Sequence, residues 1–208
     1  MPGYRFFQEC ICDTCHTTHL IEFPVGHGTV YPSTLIPSKG EVHGTSKWNN
    51  QFLSESYKNR SDKIYPIEVV KKREIAQPLI LNCLDNYYGH CILKLINASW
   101  YESHKSSLDL LLILPKFLAW MIPDYAAEVW VVDIPLRESH HWLPYLSERI
   151  KERFHDYEKV YASKALPHPS NNDFDIEEFT SITPFKLSEW RQSLEQPTVT
   201  WFWREDID

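Results

Sequence analysis

The apolar positions of this chain are weakly patterned before residue 65 and strongly patterned after it. From Leu108 to Leu114 every residue is apolar except Asp109, and Pro115 ends the run. A strand covered on both faces, as in a parallel sheet, reads this way. Pro78 to Cys83 and Ala126 to Asp133 predict two further buried strands, and Ile67 to Val70 and Lys159 to Ser163 predict shorter ones. Between them lie helical patterns. His90 to about Glu102 carries Ile92, Leu95 and Ile96 on one side, with Leu93 and Trp100 beside them. Lys116 to Ile122 predicts one short helix. Ser139 to Phe154 repeats Trp142, Leu146, Ile150 and Phe154 every four residues, with Ser139 as cap. Thr183-Pro184 predicts a last helix with Leu187, Trp190 and Leu194 buried, and Thr198 to Trp203 a final strand. Strands alternating with helices predict a three-layer α/β core from about residue 65 to 203.

The first 64 residues predict something different. Tyr4, Phe6 and Phe7 face Leu20, Ile21 and Phe23 in a β-hairpin whose tip carries a Cys/His cluster. Residues 24–63 are rich in Pro, Gly, Ser and Asn and predict a long excursion of loops, with a short helix near Phe52. The expected division is 1–64 for hairpin and loops and 65–208 for the α/β domain.

Composition narrows the classes. With 208 residues, 43% apolar and 24% charged, the chain has a globular composition and enough length for a sizeable core. The net charge of −7 argues against nucleic-acid binding, which needs a basic surface. Residues 39–74 carry eight bases against five acids, a solvated loop or a local patch for an anion. No run is long and apolar enough for a transmembrane helix, and residues 1–9 lack a secretory pattern. The expected location is therefore the cytoplasm.

Two groups of residues offer chemistry. Cys10, Cys12, Cys15 and His19 are four potential zinc ligands within ten residues, around a Cys-x-x-Cys on a turn. A structural zinc hairpin and an unmetallated tip are both open, since no second Cys-x-x-Cys pair exists. Cys12 to His16 also matches the c-type haem attachment spacing, which needs export and maturation. Cys83 and Cys91 sit in apolar surroundings as packing residues. His90 follows Gly89 at a helix start, behind Asn86, Tyr87 and Tyr88. A histidine there acts as a base or donates to an anion; the alternative is a capping residue packed beneath the loop. Arg204 ends the last predicted strand and offers a bidentate clamp or a plain surface ion pair. No Walker loop, GxGxxG, GxSxG or HExxH is present.

The run DNYYGHCILKLINASWY (85–101) resembles a glycosyltransferase family that includes plant xylan-modifying enzymes and bacterial relatives, in which an Asn/Tyr-rich turn leads to a His and an apolar helix. EVWVVDIPLRESHHWLPYLSERI (128–150) and PTVTWFWRED (197–206) look like parts of the same type of protein. The resemblance covers about residues 65–206. It implies a Rossmann-like, mostly parallel sheet with helices on both faces, as the acceptor-side half of a GT-B architecture. It also implies His90 as the catalytic residue, with Asn86, Tyr87 and Tyr88 beside it as substrate-binding residues, a carbohydrate acceptor, and a nucleotide sugar as co-substrate; Arg204 lies in a matching segment without an implied role and stands as a substrate-binding candidate on its clamp chemistry alone. The donor would be held by a second domain or partner chain expected beyond Asp208, without which no sugar transfer is expected. The alternative is a non-catalytic module binding protein or carbohydrate.

Overall fold

The computed structural model describes residues 5–103, 107–166, 177, 182, 183 and 186–193. The chain forms two compact units, Met1–Phe174 and Asp175–Asp208. The boundary expected at residue 64 separates two sheets that lie within the first unit.

The first sheet has four antiparallel strands in sequence order: β1 (Phe7–Ile11), β2 (Thr18–Glu22), β3 (Ser33–Ile36) and β4 (Glu41–Gly44). The expected hairpin is there, with Phe7 opposite Glu22 and Cys10 opposite His19. The expected excursion over 24–63 is not a run of loops. It supplies β3, β4 and the twelve-residue helix α1 (Lys47–Lys58). Its strands are four residues each, too short for their alternation to stand out among polar residues. Ser46 caps α1 by accepting from the Asn49 backbone N–H. Leu35, Leu53 and Trp142 form the buried centre of this layer, with Phe7, Leu20, Val42 and Tyr57 around them.

The second sheet contains β5 (Ile67–Lys71), β6 (Pro78–Asn82), β7 (Asp109–Pro115), β8 (Glu128–Val132) and β9 (Tyr161–Ala162), in the order β5-β8-β7-β6-β9. The pairs β6–β7, β7–β8 and β6–β9 are parallel, and β5 lies antiparallel to β8 at one edge. The sheet is therefore mixed. β5 enters without a crossover helix, and its partly exposed side chains suit an edge.

The apolar run of β7 is buried on both sides, as its sequence predicts. Leu110, Leu112 and Leu114 face a core shared with Cys91 and Leu95 of α2 (Tyr88–Ile96). Leu111 and Ile113 face the opposite core, shared with Leu146 and Phe154 of α4 (Pro144–Phe154). Each fully buried Leu or Ile contributes roughly 1.5–3 kcal/mol, so this strand is the centre of the unit's stability.

Three helix expectations change. The helix from His90 stops at Ile96. The Asn97 side chain donates to the carbonyls of Leu93 and Leu166, and a separate turn, α3 (Ser99–Ser103), follows with Trp100 about half exposed. Ser139 does not cap α4, because its hydroxyl donates to Pro135 O. The helix begins five residues later at Pro144, where the missing N–H costs nothing, and Trp142 turns instead into the first layer. In the second unit α5 (Leu187–Ser193) forms, but Leu187 and Trp190 are about half exposed rather than buried. Leu194, the expected strand 198–203 and Arg204 lie outside the described residues. Among the described residues no helix is long and apolar enough to cross a membrane.

Candidate functional site

The parallel strands stand in the order β8-β7-β6-β9, so the chain leaves β6 toward β7 on one side and later returns to its other side. Ligands of open α/β sheets bind at the carboxyl ends of strands, where such a reversal opens a crevice. Asp85 lies just past the carboxyl end of β6. The Asn82 carboxamide accepts from Leu84 N at 3.0 Å and the Asp85 carboxylate from Tyr87 N at 3.2 Å. These two side-chain turns bend the chain sharply into α2.

α2 then aims two side chains back at Asp85. His90 and Lys94 are four residues apart, on one helix face, and helical side chains lean toward the N-terminus. Nδ1 of His90 lies 3.2 Å from Oδ1 of Asp85. The Lys94 ammonium donates to Oδ2 at 2.7 Å and to Leu84 O at 2.9 Å. Lys94 is only 1% exposed.

The fourth member comes from the first layer. Nε2 of His27 lies 3.4 Å from Oδ2 of Asp85, and the two imidazoles are 5.6 Å apart between ring centres. His27 sits on a 3-10 turn, Gly26–Thr29, tied down by Gly26 N donating to Lys164 O at 2.7 Å. The turn is pressed so closely on the end of β2 that a Cβ at Gly28 would come within 2.2 Å of Phe23 O and 2.9 Å of Glu22 Cγ. Gly28→Ala should therefore shift the turn, carry His27 off Asp85 and cost about 1–3 kcal/mol. A urea titration beside the wild type measures the cost, and the His27 ring NMR signals report the displacement.

Charge and burial act together here. Burial alone would raise the Asp85 pKa, but the Lys94 ammonium and the bonds from His27 and His90 outweigh it and hold the carboxyl well below the usual range. Burial lowers the His27 pKa, so this ring is neutral at neutral pH. The constellation is thus an ionised carboxylate paired with a buried ammonium and flanked by two imidazoles.

These groups open on a cavity of about 280 Å³. His27, Asp85 and His90 line it together with Asn86, Asn49 and the rings of Tyr31, Trp48, Phe52 and Tyr87. Trp48 and Phe52, four apart on α1, stack at 5.6 Å, and Trp48 is 63% exposed. Behind the cavity Asn49 accepts from Arg5 at 3.2 Å, and Arg5 also bonds Glu22 at 3.0 Å. Burial pushes the Glu22 pKa up to about 7 against the opposing pull of Arg5. The folded protein then holds the Glu22 proton more tightly than the unfolded chain, so this group's contribution to stability falls as pH rises from about 4.5 to 7. Glu22→Gln should accordingly gain stability relative to wild type across that window, as read from urea midpoints at each pH.

Of the residues singled out by sequence, His90, Asn86 and Tyr87 meet in this cavity. Tyr88 turns away and packs on Phe117 at 5.5 Å. The hairpin residues are a separate group. Cys15 is exposed, its thiol donates to the Thr17 hydroxyl at 3.2 Å, and hydrogen bonding with the Thr17 side chain and backbone and with Cys12 lowers its pKa to about 7. Among the described residues the set with three possible ligand atoms mutually within 4.8 Å is His27, Asp85 and His90; Cys10, Cys12, Cys15 and His19 are not so gathered. Cys83 and Cys91 are buried, with Cys91 pushed up to about 12 by desolvation. Sequence reasoning passed over Asp85, Lys94 and His27. The spacing Asp85-x4-His90-x3-Lys94 is a usable signal for the first two, whereas His27 between two glycines has none. No family model, curated protein or solved structure matches the chain.

Proposed function

We propose that the first unit is the acceptor-side domain of a GT-B-type glycosyltransferase, in which His90 is the general base for an acceptor hydroxyl. The observation that carries this reading is the Asp85–His90 pair at the wall of an aromatic-lined cavity. A carboxylate bonded to Nδ1 orients the ring and stabilises the imidazolium that forms when Nε2 takes a proton. Attack on an oxocarbenium-like sugar centre requires that proton to leave the acceptor oxygen. Trp48, Phe52 and Tyr87 supply flat apolar faces against which a sugar ring can stack, and Asn49 and Asn86 supply polar contacts. The order β8-β7-β6-β9 is also that of strands three, two, one and four in a Rossmann-like sheet. In this reading the nucleotide sugar is the co-substrate and is held by a second domain or partner chain.

The exposed Trp48 favours one other reading, a saccharide-binding module without turnover. A screen of nucleotide sugars against xylose-, glucose- and galactose-based acceptors separates them, run with the chain alone and with a separately expressed GT-B donor domain. The transfer reading expects product with the donor domain present and loss of product in His90→Ala. Saccharide binding that quenches Trp48 fluorescence, with no product under any pairing, would establish the module instead.

A further inference from the structure

We propose that His27, Asp85 and His90 form a binding site for a divalent transition-metal ion, zinc above all, in the wall of the cavity. Two imidazole nitrogens and one carboxylate oxygen converge there from different elements, the 3-10 turn at Gly26–Thr29, the loop after β6 and helix α2. Nε2 of His27 lies 3.4 Å from Oδ2 of Asp85 and Nδ1 of His90 3.2 Å from Oδ1, and one ligand atom from each residue can be chosen so that all three lie within 4.8 Å of one another. Ligands about 2.0–2.1 Å from a tetrahedral zinc stand roughly 3.4 Å apart, so the His90–Oδ1 spacing already matches one edge of such a site, and the His27 nitrogen, within 4.8 Å of the other two ligand atoms, completes the set after a modest closure. The three residues line the cavity, which leaves a fourth position for water or a ligand oxygen.

The donors also select the ion. Two imidazoles and a single carboxylate suit zinc, cobalt, nickel or ferrous iron, whereas magnesium and calcium require mostly oxygen ligands. Lys94 acts in two opposing ways. It fixes the Asp85 carboxylate through Oδ2, as outer ligands commonly do, and its charge weakens attraction for a cation. Binding needs each ring to present a lone pair at the nitrogen now turned to Asp85. The ring proton then resides on the other nitrogen of the same ring, so neutral imidazoles bind without net proton release. Burial of His27 favours that neutral form.

An ion on Nδ1 of His90 leaves Nε2 protonated and unable to accept. Where His90 is the base, as proposed above, zinc is therefore an inhibitor, but the site itself does not depend on that reading. The test is a cobalt titration of the full chain carrying Cys10→Ser, Cys12→Ser and Cys15→Ser, followed by zinc competition and without any sugar. One ion per chain is expected, with visible d–d bands and none of the intense near-ultraviolet absorption of cobalt–thiolate bonds. His27→Ala and His90→Ala in that background should each weaken binding at least about tenfold, in line with the losses from disturbing a metal site. Magnesium should not compete. Absence of binding up to millimolar cobalt, or an affinity that neither histidine substitution changes, would overturn the proposal.

Discussion

Lys94→Met is expected to destabilise the first unit by about 3–5 kcal/mol, the usual cost of removing one partner of a buried ion pair. Methionine keeps most of the side-chain volume, so packing against Leu84 and the core is little disturbed. What is lost is the ammonium 2.7 Å from Oδ2 of Asp85 and its second bond to Leu84 O. Asp85 would retain its bonds from the two imidazoles at 3.2 and 3.4 Å, but no full positive charge at bonding distance. Asp85→Asn alone should cost a comparable amount, because it removes the counter-charge of an ammonium that is only 1% exposed. The double variant Lys94→Met/Asp85→Asn buries no charge at this point and should recover at least half of the loss. Urea unfolding of the four proteins gives the coupling energy directly. A cost below about 1 kcal/mol for both single variants would show that the pair contributes little to the fold.

The second large effect is on chemistry. Once the transfer screen has identified a substrate pair, His90→Ala should lower kcat by about 10²–10⁴-fold, the range expected for loss of a positioned base. KM should change far less, since His90 is one group among the many that line the cavity. His90→Gln retains much of the shape and should be equally inactive, which separates proton transfer from packing. Trp48→Ala should show the opposite split, with KM raised and kcat largely kept, because its exposed face offers stacking area and no proton. An unchanged kcat in both His90 variants would place the base elsewhere.

Much of the second sheet was legible in the sequence because its strands are buried on both faces. A segment such as Leu110 to Leu114 has no face left for polar residues, so its sequence permits few other environments. Helix α2 was legible because the apolar residues of its buried side, Cys91, Leu95 and Ile96, recur at helical spacing, and with it came His90 at its start. The first layer was not. β3 and β4 are four residues long, β4 is largely solvated, and their signal lies within ordinary loop composition. The stripe assigned to Trp142 failed because its spacing matched that of α4, yet the residue precedes the helix and packs into a different core.

The candidate site divides along the same line. His90, Asn86 and Tyr87 come from one continuous run, and the helix start after Gly89 together with the resemblance of that run singled them out. By itself the sequence determined the buried strands β6, β7 and β8, the helix that follows β6, and a histidine at that helix's first turn. The tertiary structure alone decided that Asp85 is ionised and buried, that Lys94 neutralises it, and that His27 joins them. The physical reason is that a charge tolerates burial only beside its counter-charge, and here one flanking imidazole arrives from a separate sheet across the fold. No local pattern of residues encodes that meeting; the packing of α1 and the Gly26–Thr29 turn against the carboxyl end of β6 creates it.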